Sequence, residues 1–302
     1  MSYFDFAVSR AIGLLPRAFV GRIAARYFAG PHLSDAMACT RRLNAEGFAV
    51  TLDVLGESAS SLEEAAPKEA EYLTLLDAIG QENLSADISI KPTALGLLLD
   101  SAWCEAAIRR IAGRAAAIRR GVCLDMEDSR CTQSEIDLFD RLRERDAPIS
   151  LALQAYLLRT PLDVQTLAAL GDPLRICKGI YTEPASLLVP GAGRNRRLIN
   201  EPFLEAVKVC FKEGNFVSIA THDAGLIDDV LTLVKEWKVP RTRFEFQMLL
   251  GVCEPLRDTL RDQGFAVRIY VPFGGDWYGY GVRRMTENPR LAGQIARALL
   301  RG

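Results

Sequence analysis

From Ala49 onward, short apolar runs alternate with longer stretches of helical periodicity. The short runs predict strands at Ala49–Leu55, Asp87–Ile90, Val122–Asp125, Ser150–Tyr156, Leu174–Gly179, Phe216–Ala220, Phe244–Met248 and Val267–Tyr270. Between them, Ser61 with Glu64 and Thr132 with Glu135 stand at capping-box spacing, and Thr160 precedes Pro161 as an N-cap precedes a first-turn proline. Gly121, Gly171, Gly214 and Gly264 fall where the helices should stop. Eight strand–helix units in roughly 250 residues match an α/β fold of the (β/α)8 TIM type. A doubly wound open sheet could use the same units, but no strand leads into a glycine-rich phosphate loop. The expected organisation is N-terminal helices over residues 1–48 packed on a barrel catalytic domain over residues 49–302.

Ahead of the barrel, Phe4 to Ala29 is apolar but broken by Arg10, Pro16, Arg17, Arg22 and Arg26. That leaves no uncharged span near the ~20 residues a membrane helix needs, and the short run from Ala11 to Leu15 makes a poor signal peptide. A core-packing helix pair is expected, with an interfacial membrane helix as the other reading. The 302 residues carry a formal net charge of -1, so no global field recruits nucleic acid and any anion site must be local. Seven cysteines without a Cys-x-x-Cys pair suit a reducing compartment, and two histidines, His32 and His222, exclude a site of clustered imidazoles.

The active site of such a barrel lies at the carboxyl ends of the strands. Polar residues gather there: Asp53 and Glu57, Lys91 and Thr93, Asp125 with Glu127 and Asp128, Gln154 and Tyr156, Arg175 with Lys178 and Tyr181, Thr221 with His222 and Asp223, Glu245 and Gln247, and Tyr270. If Trp277 onward is helical, Tyr280, Arg283, Arg284 and Glu287 share one face. Two guanidiniums beside an aromatic ring suit a small carboxylate with an apolar body, because the forks bind oxygens in pairs while the ring covers hydrocarbon.

Each feature also has a structural reading. The acidic trio could coordinate a cation or favour the following helix start electrostatically. Lys178 could form a Schiff base, contact phosphate or complete an ion pair. His222 could be catalytic or scaffold; Gln154 and Gln247 could face a heterocycle or bridge backbone groups. The chain has no nucleophile elbow, Walker loop or zinc signature. Arg, Lys, Thr, His and Gln spread over several strand ends suit a large, polar, anionic cofactor that carries the chemistry.

Eight stretches in order resemble the proline dehydrogenase family: Leu52 to Glu57, Ile90 to Thr93, Asp125 to Ser129, Leu153 to Tyr156, Arg175 to Tyr181, Thr221 to Asp223, Glu245 to Met248, and Tyr270 to Arg284. The resemblance implies a distorted barrel carrying noncovalent FAD and oxidising L-proline to 1-pyrroline-5-carboxylate, the first step of proline catabolism. By the resemblance, Met126, Gln154, Arg175, Lys178, Gly179, Ile180, Thr221, His222 and Gln247 would line the flavin. Lys91, Arg283 and Arg284 would bind the substrate carboxylate, Tyr270 and Tyr280 would pack on the pyrrolidine ring, and Asp125 would order the polar network with Arg175. No metal is implied. The family's bifunctional members append an aldehyde dehydrogenase domain; the chain looks monofunctional, its product passing to a separate pyrroline-5-carboxylate/glutamate-semialdehyde dehydrogenase. Electrons would go from hydride-reduced flavin N5 to a membrane quinone, placing a cytoplasmic protein peripherally on the inner face of the membrane.

Two departures stand out. Ile180 sits where the family commonly has alanine, and Gly279 with Gly281 loosens the last helix, which suggests a lid that orders on ligand binding. Three rivals are a related amine or hydroxyproline oxidation, where the resemblance places Tyr270 over the ring carbon that bears the hydroxyl so that its bulk favours unsubstituted proline; a metal-dependent lyase or aldolase using Asp125, Glu127 and Lys178; and a proline sensor that has lost turnover.

Overall fold

The computed structural model describes residue 21 and residues 24–56, 58–143 and 149–287, the last five by backbone alone. The expected helices over residues 1–20, and Glu57, lie outside the described residues. Eight strands, β1 (Ala49–Val54), β2 (Ala86–Ile90), β3 (Val122–Leu124), β4 (Ile149–Gln154), β5 (Leu174–Cys177), β6 (Val217–Ala220), β7 (Phe244–Leu249) and β8 (Val267–Phe273), form a closed parallel barrel in chain order. The closing pair sets β1 beside β8 from Ala49↔Arg268 to Val54↔Phe273, so an open doubly wound sheet is excluded. The same pairing carries β8 three residues past the expected end at Tyr270.

Helix α1 (Leu33–Ala45) precedes the barrel. After successive strands come α2 (Leu62–Gln81), α3 (Ser101–Ala117), α4 (Thr132–Arg143), α5 (Thr160–Ala168), α6 (Asn200–Glu213), α7 (Ala224–Trp237), α8 (Glu254–Asp262) and α9 (Trp277–Glu287). Their apolar stripes cover the outward strand positions: Leu75, Ile79, Ile88, Ile108 and Ile111 are all fully buried. Each such side chain contributes on the order of 1.5–3 kcal/mol of transfer free energy.

Strand alternation sends the other set inward, and that set is polar. In β5, Arg175 and Cys177 line the interior while Leu174 and Ile176 are buried in the surrounding core. At the amino-terminal end of the barrel a cavity of about 460 Å³ is lined by Asp87, Ser218, Glu245 and Arg268. Arg268 meets Glu245 at 2.8 Å and Asp87 at 2.9 Å, so these charges compensate one another. Glu245, expected among the strand-end candidates, therefore serves this lower layer. A two-residue period fixes which face a side chain takes but not which layer it reaches.

The helix starts also differ from the sequence reading in detail. Glu64 accepts from the backbone and hydroxyl of Ser60 rather than Ser61. Glu135 is buried and accepts from the backbone N–H of Glu127 instead of closing a box with Thr132. Thr160 is the first residue of α5 and donates its hydroxyl to the Gln154 carbonyl, tying the helix start to the end of β4.

Candidate active site

Five strands deliver one hydrogen-bonded cluster to the carboxyl end of the barrel. Asp125, just past β3, accepts at Oδ1 from Ser89 Oγ and Arg175 Nη1, both at 2.6 Å, and at Oδ2 from the Tyr270 hydroxyl at 2.6 Å. Lys91 Nζ lies 2.6 Å from Asp53 Oδ1 and 3.9 Å from Asp125 Oδ2. Burial alone would push the Lys91 ammonium toward neutrality, but Asp53, Asp125 and Glu127 outweigh it and hold its pKa above the ordinary lysine value. Burial, then the charges of Asp125 and Asp53, push the Tyr270 hydroxyl far up, so it remains a donor. The Arg175 guanidinium carbon stands 5.6 Å from the Tyr270 ring centroid.

A second cluster closes the opposite side. Lys178 Nζ donates to Asp223 Oδ2 at 2.7 Å and to Asn200 Oδ1 at 2.6 Å. Burial opposes ionisation of Asp223, yet the bonds from Lys178 and Asn200 bring its pKa down to about 2. Its other oxygen caps α7 through the Leu226 N–H. Asp125, Glu127 and Lys178 are thus committed to different partners and do not converge, contrary to what the lyase or aldolase reading requires.

Between the clusters, Gln154 donates to the Glu127 carbonyl at 2.7 Å and accepts from the Ile180 N–H at 3.4 Å, which cross-links the turns after β3 and β5. Gly179 has φ +90°, and a Cβ there would stand 2.3 Å from the Tyr156 ring, so only glycine fits. His222 Nε2 accepts from the Leu249 N–H at 2.8 Å, Thr221 Oγ1 accepts from the Asp223 N–H, and Gln247 donates to Glu245 at 2.7 Å. Glu127 accepts from the Thr93 N–H and hydroxyl, and Glu135 behind it is pushed up to about 9 by burial and by the Glu127 charge.

Residues of both clusters line a cavity of about 380 Å³. Lys91, Asp125, Met126, Gln154, Arg175, Lys178, Gly179, Ile180, Thr221, His222, Gln247, Tyr270 and Tyr280 all line it. Arg283 and Arg284 lie in α9, where the expected face with Tyr280 is helical, but their side chains lie outside the described residues. Sequence reasoning missed Cys177, Arg196 and Asn200: Cys177 and Arg196 line the cavity, and Asn200 holds Lys178. The inward phase of β5 could have found Cys177; no motif marks Arg196, whose Nη2 meets the Gly179 carbonyl at 2.6 Å.

The segment ahead of α1 buttresses α9. Phe28 stacks on Trp277 with centroids 5.6 Å apart and planes 13° apart, and Ala24, Tyr27, Phe28 and Leu55 pack with buried Tyr280. Backbone bonds from Ala29 N to Pro272 O and from Gly274 N to Gly30 O join this segment to the end of β8.

Residues 36–182 and 197–297 match the sequence profile of a family described as proline dehydrogenase. The chain belongs to the proline dehydrogenase family. It is similar to proline dehydrogenase 1 of Bacillus subtilis (strain 168), 32% identical over 286 residues that cover 94% of this chain and 93% of the relative. The proline dehydrogenase of Deinococcus radiodurans is 32% identical over 293 residues, 95% and 93% of the two chains. A solved structure of proline utilization A from Bdellovibrio bacteriovorus, inactivated by N-propargylglycine, superposes with a TM-score of 0.81 at 22% identity. It covers 88% of this chain, which spans 32% of that longer one and shares the barrel fold with it.

Proposed function

We propose that the chain oxidises L-proline to 1-pyrroline-5-carboxylate, using FAD bound noncovalently at the carboxyl end of the barrel. The observation that carries this reading is that every residue assigned a site role by the family resemblance whose side chain is described lines one cavity. Arg175 supports the cofactor. Its Nε is buried and has no partner among the described residues, while Nη1 is engaged by Asp125. A buried donor without an acceptor is costly, and a flavin ring supplies acceptors. Lys178 is already held by Asp223 and Asn200, so Arg175 is the better candidate for stabilising negative charge on the ring. Met126, Gln154, Lys178, Gly179, Ile180, Thr221, His222 and Gln247 would hold the remainder.

When bound, FAD supplies the acceptor for the hydride from the ring carbon next to the amine. Lys91, Arg283 and Arg284 would fix the carboxylate, and Tyr270 and Tyr280 would cover the pyrrolidine carbons. Asp125 orients Tyr270 and Arg175 at that site. Electrons would leave to a membrane quinone, which implies peripheral membrane contact; among the described residues no helix is long and apolar enough to cross a membrane. A separate pyrroline-5-carboxylate/glutamate-semialdehyde dehydrogenase would take the product.

Purified protein assayed with L-proline and a dye acceptor tests this reading. Turnover is expected, with Arg283→Lys or Arg284→Lys raising KM at least tenfold because one ammonium cannot replace the fork. Absence of turnover after supplying FAD overturns the activity, and unchanged KM in both variants overturns the clamp.

A further inference from the structure

Each carboxylate that lines the cavity at the carboxyl end of the barrel is matched by one cation. Asp53 pairs with Lys91 at 2.6 Å, Asp125 with Arg175 at 2.6 Å and Asp223 with Lys178 at 2.7 Å. Arg196 lines the same cavity and forms no ion pair among the described residues. Its Nη2 donates to the Gly179 carbonyl at 2.6 Å, which uses one donor of a guanidinium fork that has several. Among the described lining residues the lysine and arginine charges therefore exceed the carboxylates by one, and the excess sits on an exposed side chain.

Local structure fixes where that charge stands. Asn195 Oδ1 accepts from the Arg197 N–H at 3.1 Å and opens a short 3-10 helix, Arg196–Ile199, that runs directly into α6. Asn200, the first residue of α6, accepts from Lys178 Nζ at 2.6 Å. One turn thus grips the end of β5 at consecutive residues, Lys178 through Asn200 and Gly179 through Arg196. The family profile matches residues 36–182 and 197–297, so Arg196 stands in the stretch between them and the resemblance assigns it no role.

We infer that Arg196 receives the diphosphate of the dinucleotide cofactor, an inference that rests on the FAD reading proposed above. FAD carries its negative charge on that group, and a guanidinium fork matches phosphate oxygens in pairs. The other cations of the described lining are already neutralised: added negative charge beside Lys178 would be opposed by Asp223, just as Asp125 opposes it beside Arg175. At Arg196 no carboxylate stands in the way, and the bond to the Gly179 carbonyl holds the guanidinium beside the turn that follows β5.

The test is titration of the full chain, freed of flavin, with FAD and with riboflavin, read by flavin fluorescence. Arg196→Gln keeps an N–H for the Gly179 carbonyl but removes the charge. It should weaken FAD binding by about tenfold or more and leave the affinity for riboflavin, which has no phosphate, unchanged. Arg196→Lys should recover part of the loss. Raising salt should weaken FAD binding by the unsubstituted chain, and should do so less steeply in Arg196→Gln. Unchanged FAD affinity in Arg196→Gln, or equal salt dependence in the two proteins, overturns the assignment. So does an equal loss of FAD and riboflavin, which would mean that Arg196 acts only by holding the turn after β5. Absence of FAD binding by the unsubstituted chain would overturn the cofactor reading and this assignment together. The predicted binding pattern without bleaching of the flavin by L-proline would instead count against the proline reading alone.

Discussion

The Tyr270 hydroxyl donates to Asp125 Oδ2 at 2.6 Å, while the other oxygen of that carboxylate receives Arg175 and Ser89. One carboxylate thus sets both an aromatic wall and a guanidinium. Removing the hydroxyl leaves Asp125 with one fewer donor, at a cost of about 1–3 kcal/mol.

Tyr270→Phe is accordingly expected to lower kcat/KM for proline by about tenfold to a hundredfold. Asp125→Asn added in that background should cost less than it does alone, since the two residues share one network. Steady-state kinetics of the four proteins checks this; strictly additive losses would show that the bond does not couple them.

Gly179→Ala should be damaging out of proportion to one methyl group. The residue has φ +90°, and the new Cβ would stand 2.3 Å from Tyr156, so backbone strain of about 1–3 kcal/mol adds to a steric collision. Thermal melts should show Tm lower by several degrees and flavin retention reduced. An unchanged Tm with full flavin content would mean that the loop after β5 is not held as described.

Trp277→Ala removes the stack on Phe28 that buttresses α9. KM for proline should rise about tenfold through misplacement of the helix, with flavin per protein unchanged, because Trp277 is not among the cavity-lining residues. Phe28→Ala should act in the same direction. Loss of flavin alongside the rise in KM would show that the segment supports the whole site instead of the helix alone.

The buried Glu135 carboxyl titrates at about 9 in the folded chain against an ordinary value of 4.5. Across that window the folded chain keeps a proton that the unfolded chain has released, so the contribution to stability is complete below the lower value and is lost as pH rises through the upper one. Glu135→Gln, which is neutral at every pH, should flatten the fall in Tm over this range. Parallel Tm profiles for the two proteins would contradict the assignment.

The strand order and nearly every strand start were legible because apolar runs bounded by glycine are a local property. The lining residues were legible through motifs at strand ends. Glu245 was misplaced because alternation does not reveal depth along the barrel axis. The Lys91–Asp53 pair was not read, since each residue appeared as a separate candidate and only the β1–β2 register of Asp53↔Ser89 brings them together. Asn200 and Arg196 come from a long loop whose path the sequence does not encode in any periodic form.

The proposed function requires a flavin and proline to share the cavity that Tyr270 and Tyr280 line. The most direct measurement is the visible spectrum of the purified protein, mixed with L-proline without oxygen. A yellow protein whose flavin band bleaches with L-proline, and does so far more slowly after Tyr270→Phe, is the predicted result. A protein that stays colourless after supplying FAD, or a flavin band that L-proline leaves unchanged, would contradict it.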